Sequence, residues 1–241
     1  MPLSSRMHKS VFLFAVAASL TAAAETSPIV SFLIPAGKPD ADECRALVKT
    51  VNDAGFDQFL LYPSTGLEYE YLGEDFFGMV GSFVDEAERR GMRMWLYDEF
   101  NWPSGSCRGR VPMENPAWTY SEMAVRRGPE GRYAWEVKRN DQYSMYERYF
   151  DVNTYEPAAM RRFIELTHEV YAARFGDYLK DGTVRGIFTD EPGHPVDVKL
   201  PPKPVFRCRW WSTLPEDYRA ATGREFDADA GRGTFDFAAY A

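Results

Sequence analysis

The sequence has few of the residues that most often hold metals or disulfides. Its 241 residues include only three cysteines and three histidines, and no two cysteines are separated by two residues. Three cysteines are too few for a disulfide scaffold, and the missing CxxC spacing argues against a zinc site. An oxidising compartment would allow one disulfide among Cys44, Cys107 and Cys208, but the sequence does not select the pair.

Positive charge and glycine-rich turns are also scarce. Lys and Arg total 28 against 36 Asp and Glu, which gives a formal net charge of -8. An acidic chain is a poor candidate for binding nucleic acid or an anionic membrane surface. The turn after the first apolar run lacks the glycine-rich pattern that binds phosphates, which argues against an open nucleotide-binding sheet. We therefore expect no nucleic-acid partner.

The N-terminus has the pattern of an export signal. Two basic residues precede an apolar run over Val11–Ala24, and small residues lie just before Glu25. The run is about 14 residues long, shorter than the roughly 20 needed to cross a bilayer. The sequence thus predicts a signal peptide over residues 1–24, a secreted or periplasmic domain over residues 25–241, and no membrane anchor.

Strand and helix patterns alternate along most of the predicted mature chain. Apolar runs predict buried strands at residues 29–34, 56–62, 92–97 and 184–189, and helical periodicity predicts helices at residues 40–54, 74–90, 156–178 and 215–222. Alternating stretches at Tyr133–Lys138 and Tyr146–Val152 predict a β-hairpin insertion. This order predicts an α/β fold of the (β/α)8 TIM-barrel type, truncated to about the first four βα units with a β-hairpin insertion.

Two acidic pairs are the main functional signal. Asp98-Glu99 and Asp190-Glu191 each follow a predicted strand and lead into a loop that contains Gly or Pro. Catalytic groups of parallel α/β barrels lie at the carboxyl ends of strands, so these four carboxylates are candidates for acid/base catalysis. The alternative is that they cap the next helix or solvate a loop. Asp98 and Asp190 are also candidate calcium ligands, since calcium prefers hard oxygen ligands.

Side-chain alternation limits which member of each pair can point into a barrel. If Trp95 and Tyr97 face inward, Glu99 follows them; the opposite phase selects the aspartates. For the last strand, an inward Ile187 and Thr189 would select Glu191. We favour the glutamates because that phase places Gly186 toward the helix layer, where close approach is useful.

Several sequence stretches resemble bacterial glycoside hydrolases of the family 106 α-L-rhamnosidase type. The stretches are Tyr62–Glu68 with Tyr71-Leu72, Tyr97–Gly105, Phe163–Tyr171 and Gly186–Pro192. The resemblance implies a (β/α)8 catalytic domain that cleaves terminal deoxysugars from a carbohydrate substrate by two-carboxylate inversion, with calcium associated with the group. Proteins of this family are several-fold longer, and their loop after Pro-Ser-Gly is richer in glycine than Ser106–Arg110.

The resemblance also assigns roles to individual residues. Glu99 and Glu191 correspond to the catalytic carboxylates, and Tyr62, Asn101 and Trp102 would help to shape the sugar pocket. Burial beside Pro192 favours Glu191 as the general acid.

The sequence allows more than one role for several other residues and more than one function for the chain. His194, in the loop after the second acidic pair, is a candidate substrate contact, whereas His168 reads as a packed or surface histidine within a helix. Aromatic residues make up 15% of the chain, and Trp210-Trp211 suits either sugar stacking or core packing. The alternatives to hydrolysis are a catalytically silent, truncated half-barrel that binds sugar or no ligand at all, and a metal-dependent hydrolase.

Overall fold

The computed structural model describes residues 30–139, 151–192 and 206–227. The predicted signal peptide, most of the alternating stretch at Tyr146–Val152, and His194 lie outside these ranges. No helix within them has both the length and the apolar stretch needed to cross a membrane.

Seven strands and six α-helices are described. In chain order they are β1 (Ser31–Leu33), α1 (Ala41–Asp53), β2 (Gln58–Leu61), α2 (Glu74–Arg90), β3 (Arg93–Tyr97), α3 (Arg110–Glu114), β4 (Ser121–Arg127), β5 (Tyr133–Arg139), α4 (Pro157–Leu166), α5 (His168–Asp181), β6 (Val184–Phe188), β7 (Phe206–Arg209) and α6 (Leu214–Thr222). A 3-10 helix, Pro116–Trp118, precedes β4.

The four predicted buried strands form one parallel sheet in the order β1-β2-β3-β6. The mixed α/β class with a parallel sheet is thereby confirmed. A parallel neighbour requires a crossover connection, and α1 and α2 provide the first two crossovers. Between β3 and β6 the chain inserts the β4–β5 hairpin of a second, antiparallel sheet before returning through α4 and α5, and the third strand of that sheet, β7, follows β6. The carboxyl ends of all four parallel strands therefore meet at one edge.

The two faces of the parallel sheet differ in burial. One face carries fully buried residues such as Phe59, Met94 and Leu96, which belong to the main core packed against the helices. On the other face, 58% of Phe32 and 38% of Phe188 are exposed. The predicted full burial of the first strand is therefore wrong, because its side chains alternate between a packed face and an open one.

The first two helices form where the sequence predicts them. Asp40 caps α1 by accepting from the N–H groups of Asp42 and Glu43, and the Glu43 side chain accepts from the Asp40 N–H in return. α2 ends at Gly91, which adopts the left-handed conformation at φ 65° that glycine tolerates best. Local signals in the sequence thus set the start of α1 and the end of α2.

The predicted single helix over residues 156–178 is two helices. Thr167 separates α4 from α5 with φ -117° and ψ -74°, and its hydroxyl donates to the Phe163 carbonyl at 2.7 Å. A hydroxyl that bonds back to the preceding turn competes with the regular helical pattern. The break makes His168 the first residue of α5, close to the ends of β3 and β6.

The second sheet has three antiparallel strands in the order β5-β4-β7, of which β4 and β5 form the insertion and β7 follows β6. A hairpin is present, but its partners are β4 and β5, with Ser121 opposite Arg139. The proposed partner stretch at Tyr146–Val152 contributes, within the described residues, an isolated bridge from Val152 to Thr119. Residues Ser121 to Val125 of β4 are all buried, so this strand lacks the alternation of polar and apolar residues that marks a half-exposed strand.

Glu86 on α2 gives the fold a pH-dependent contribution. The Glu86 carboxylate is 2% exposed and accepts from Arg89 at 2.6 Å and from Arg90 at 2.5 Å. Hydrogen bonding to Arg89, with a further bond from Arg90, lowers the pKa of Glu86 from 4.5 to about 2. Since the folded-state pKa lies below the unfolded value, this contribution is present above about pH 4.5 and is lost as the pH falls toward 2.

We expect Glu86→Gln to lower the free energy of unfolding at pH 7 by about 1.5–3 kcal/mol, the range for hydrogen bonds to a charged group. At pH 3 this deficit should be smaller, and the variant and the parent protein should converge as the pH falls to 2 and below. Urea unfolding at both pH values measures this, with Glu88→Gln at an exposed position of the same helix as control. A deficit that is equally large at pH 3 would contradict the assignment.

Candidate active site at the strand ends

The two acidic pairs meet where β3 and β6 end. Tyr97 pairs with Phe188, and the Asp98 N–H donates to the Phe188 carbonyl at 3.3 Å. Ser104 joins the two pairs: its hydroxyl donates to Asp98 Oδ1 at 2.6 Å and accepts from the Asp190 N–H at 2.9 Å, and its own N–H donates to the Asp190 carbonyl at 2.8 Å. The predicted clustering of carboxylates therefore occurs, with Ser104 as its link.

Gly186 does not face the helix layer, as the preference for the two glutamates required. Trp95 pairs directly with Gly186, and a Cβ added to Gly186 would lie 3.3 Å from the Trp95 ring. Gly186 therefore makes room for Trp95 on the open face, rather than for a helix. The same face continues through Phe188 toward Asp190, whereas Thr189 lies beside Asp98.

Glu99 does not face the open edge of the sheet. Its carboxylate is completely buried and accepts from the backbone N–H groups of five loop residues and from one hydroxyl. The N–H donors are Phe100 (3.0 Å), Gly105 (3.2 Å), Ser106 (2.8 Å), Cys107 (2.7 Å) and Arg108 (2.5 Å), and the hydroxyl is that of Ser106 (3.0 Å). These hydrogen bonds lower the pKa of Glu99, but burial has the larger effect and raises it to about 7. The structure thus makes Glu99 the anchor of its own loop.

The backbone of this loop adopts conformations that side chains rarely favour. Cys107 and Arg108 have φ values of 53° and 52°, so that successive N–H groups converge on the Glu99 carboxylate as an anion-binding nest. Gly105, at φ 129°, has no room for a side chain, because an added Cβ would lie 2.9 Å from Val152. The bulkier Ser106–Arg110 segment noted in the sequence is therefore accommodated by a left-handed backbone.

Asp98 is buried beside a histidine that the sequence analysis set aside. Its Oδ2 accepts from the Thr189 hydroxyl at 2.6 Å and lies 3.4 Å from His168 Nε2. His168 Nδ1 lies 2.9 Å from the Thr167 hydroxyl, whose proton goes to the Phe163 carbonyl. His168 thus lies between the Thr167 hydroxyl and the Asp98 carboxylate.

Burial raises the pKa of Asp98, while hydrogen bonds from Ser104 and Thr189 and the His168 ring lower it. Both carboxylate oxygens are thus already bound, and the side chain has no exposed surface. Asp98 therefore holds Ser104 and Thr189 in place from a buried position and does not itself reach solvent.

Asp190 and Glu191 are the carboxylates that reach solvent. Asp190 is half-buried, its Oδ2 lies 3.5 Å from the Tyr97 hydroxyl, and burial together with the charge of Glu191 raises its pKa. Glu191 is exposed and adopts φ 41°. Beside them, Tyr97 stacks on Tyr62 with ring centroids 4.3 Å apart. Tyr97 itself is buried, so the half-buried ring of Tyr62 is the aromatic group that lies next to two accessible carboxylates.

Asn101 connects two of the loops that surround the site. Its side chain accepts from the Ser64 hydroxyl at 2.6 Å and the Thr65 N–H at 3.1 Å, and its carbonyl accepts from the Tyr97 hydroxyl at 2.8 Å. The side chain of Asn101 is therefore engaged in holding the loops together. Trp102 follows, half-buried and joined to Pro103 by a cis peptide bond.

Cysteine and metal chemistry receive little support from the described residues. Cys44 and Cys107 are buried thiols, Cys208 is half-buried, and all three are free. No group of three or more His, Cys, Asp or Glu side chains comes together as a metal site in the described ranges. Calcium binding by Asp98 and Asp190 stays a prediction.

Sequence reasoning missed Ser104, Thr189 and His168. Ser104 and Thr189 lie next to the acidic pairs within the stretches Pro-Ser-Gly and Thr-Asp-Glu, so their proximity to carboxylates was a usable signal. His168 had no local signal, since its position depends on the break at Thr167.

Comparison with family models, curated proteins and solved structures finds no match to this chain. Its function must therefore be argued from the site itself.

Proposed function

We propose that this chain is an exported glycoside hydrolase of the α-L-rhamnosidase-like type, built on part of a (β/α)8 barrel. One observation carries the proposal: two accessible carboxylates, Asp190 and Glu191, lie at the carboxyl edge of a parallel sheet beside the half-buried ring of Tyr62, which is backed by the buried ring of Tyr97. Aromatic rings pack on the apolar faces of sugars, and paired carboxylates supply the acid and the base of glycoside hydrolysis.

The environment of each carboxylate suggests its role. Asp190 is the better proton donor, since burial and the neighbouring charge of Glu191 raise its pKa. In the proposed reaction Asp190 protonates the glycosidic oxygen as the bond to the anomeric carbon breaks. Glu191, exposed to water, takes a proton from the water molecule that attacks that carbon. This reverses the acid role first given to Glu191 and replaces Glu99.

The other residues of the site position Asp190, Glu191 and the surrounding loops. Ser104 holds the Asp190 backbone against Asp98, and His168 and Thr189 hold Asp98 in turn. Asn101 fixes the loop whose next residue, Trp102, is a candidate wall of the sugar pocket. The expected substrate is a terminal deoxysugar glycoside.

The test is hydrolysis of p-nitrophenyl α-L-rhamnopyranoside by the parent chain and by Asp190→Asn and Glu191→Gln. We expect each substitution to lower kcat about 100-fold or more, the usual contribution of a general acid or base. Asp177→Asn and Glu88→Gln, at exposed positions of α5 and α2, are matched controls and should keep full activity. Activity that survives both site substitutions would overturn the proposal.

A sugar-binding protein without catalysis is the second candidate. The observation that favours it is that Asp98 and Glu99, half of the predicted carboxylate set, are sealed from solvent. Saturable binding of L-rhamnose by the parent chain, with no release of p-nitrophenol, would select this function.

A further inference from the structure

A cavity on the antiparallel sheet lies apart from the acidic residues at the strand ends. It measures about 530 Å³ and lies where the 3-10 helix, the end of β5, the segment before α4 and the residues after β7 meet. Ligand pockets usually measure about 300–1,000 Å³, so the cavity is large enough for a small molecule.

Three tryptophans line this cavity on a rigid frame. Trp118, Trp210 and Trp211 contribute to its wall. Asn153 ties two of them together: its N–H donates to the Trp118 carbonyl at 2.7 Å, and its Nδ2 donates to the Trp210 carbonyl at 2.5 Å. The Trp211 indole N–H donates to Asp217 at 2.7 Å. These bonds fix the backbone at Trp118 and Trp210 and the ring of Trp211, which reduces the conformational freedom lost when a ligand binds.

The polar groups of the wall carry opposite charges. Glu156 is 8% exposed, and its carboxylate accepts from the N–H and the hydroxyl of Ser212, both at 2.9 Å. Arg139, at the end of β5, lines the cavity from an exposed position. One cation and one carboxylate in the same cavity favour neither an anionic nor a cationic ligand. They suit hydroxyl groups, which bond to either.

We propose that this cavity binds a neutral oligosaccharide, with a pyranose ring against the tryptophans and its hydroxyls bonded to Arg139 and Glu156. Tryptophan faces match the apolar C–H faces of a pyranose, and the two charged groups supply a donor and an acceptor for its hydroxyls. This site would hold a polymer without taking part in bond cleavage. It does not depend on hydrolysis at the strand ends.

Isothermal titration of the whole chain with cellohexaose and xylohexaose tests the proposal, with hexagalacturonate as the anionic comparison. We expect saturable binding of at least one neutral hexaose, weakened about tenfold by Arg139→Ala, which corresponds to about 1.4 kcal/mol. Arg132→Ala, at an exposed turn position between β4 and β5, is the matched control and should bind as the parent does. Thermal melting checks that both variants are folded.

Three outcomes would overturn the proposal. They are failure of both neutral hexaoses to bind at 10 mM, binding of hexagalacturonate alone, and equal binding by the Arg139→Ala and Arg132→Ala proteins. Trp118→Ala gives a second test of the same wall, and because Trp118 packs against the main core, thermal melting also checks that this variant is folded. Loss of p-nitrophenol release in Asp190→Asn with unchanged hexaose binding would separate this site from the catalytic proposal.

Discussion

Replacing Glu99 by Gln should lower the free energy of unfolding by about 3–6 kcal/mol. The amide turns one acceptor oxygen into an NH2 group that faces backbone N–H donors, so at least two buried N–H groups lose their partner. Each such loss costs about 1–3 kcal/mol. Because a domain of this size has about 5–15 kcal/mol in total, the variant should be close to unfolding.

Urea unfolding measures the effect, and amide hydrogen exchange at Ser106, Cys107 and Arg108 locates it. Glu68→Gln, an exposed glutamate, should change stability by no more than about 0.5 kcal/mol. If Glu99→Gln were as stable as the parent but inactive in hydrolysis, Glu99 would be a catalytic carboxylate after all, and the loop-anchor assignment would fail.

The second large effect is expected at Asp98. Asp98→Asn keeps the size of the side chain but removes the charge that receives the Ser104 and Thr189 hydroxyls, both at 2.6 Å, and that faces His168. Since hydrogen bonds to a charged group contribute about 1.5–3 kcal/mol each, we expect a loss of about 2–4 kcal/mol.

Asp190→Asn is the matched comparison on the neighbouring strand. Its side chain is half-buried, so the same substitution there should reduce stability by less than about 1 kcal/mol while removing activity. A double-mutant cycle of Asp98→Asn with His168→Gln measures how far the two groups are coupled. Additive effects would show that His168 and Asp98 contribute to stability independently.

Local sequence signals predicted most of the elements and few of the contacts. The α1 and α2 helices follow from a capping box at Asp40 and a terminating glycine at Gly91, which act within a few residues. The four parallel strands follow from apolar runs. The full burial expected for the first strand fails at Phe32, because an apolar run does not reveal which face is covered.

In the candidate site too, local sequence signals predict where the residues lie but not which contacts they make. The position of both acidic pairs at adjacent strand ends follows from the βα order. The role of Glu99 does not, because its partners are backbone N–H groups gathered by the left-handed conformations at Cys107 and Arg108. Side-chain alternation also stops being a guide where the strand ends, and Glu99 lies beyond that point.

The insertion between β3 and β6 has a consequence for the order of folding. The β1-α1-β2-α2-β3 segment makes its contacts between neighbours in sequence, whereas β6 reaches β3 only after the entire stretch from Tyr97 to Val184. Closing so long a loop costs more chain entropy than the local crossovers do. The first three strands should therefore gain protection against hydrogen exchange earlier during refolding than β6. The acidic residues would then come together only in the last step, when β6 docks and brings Asp190 to Ser104.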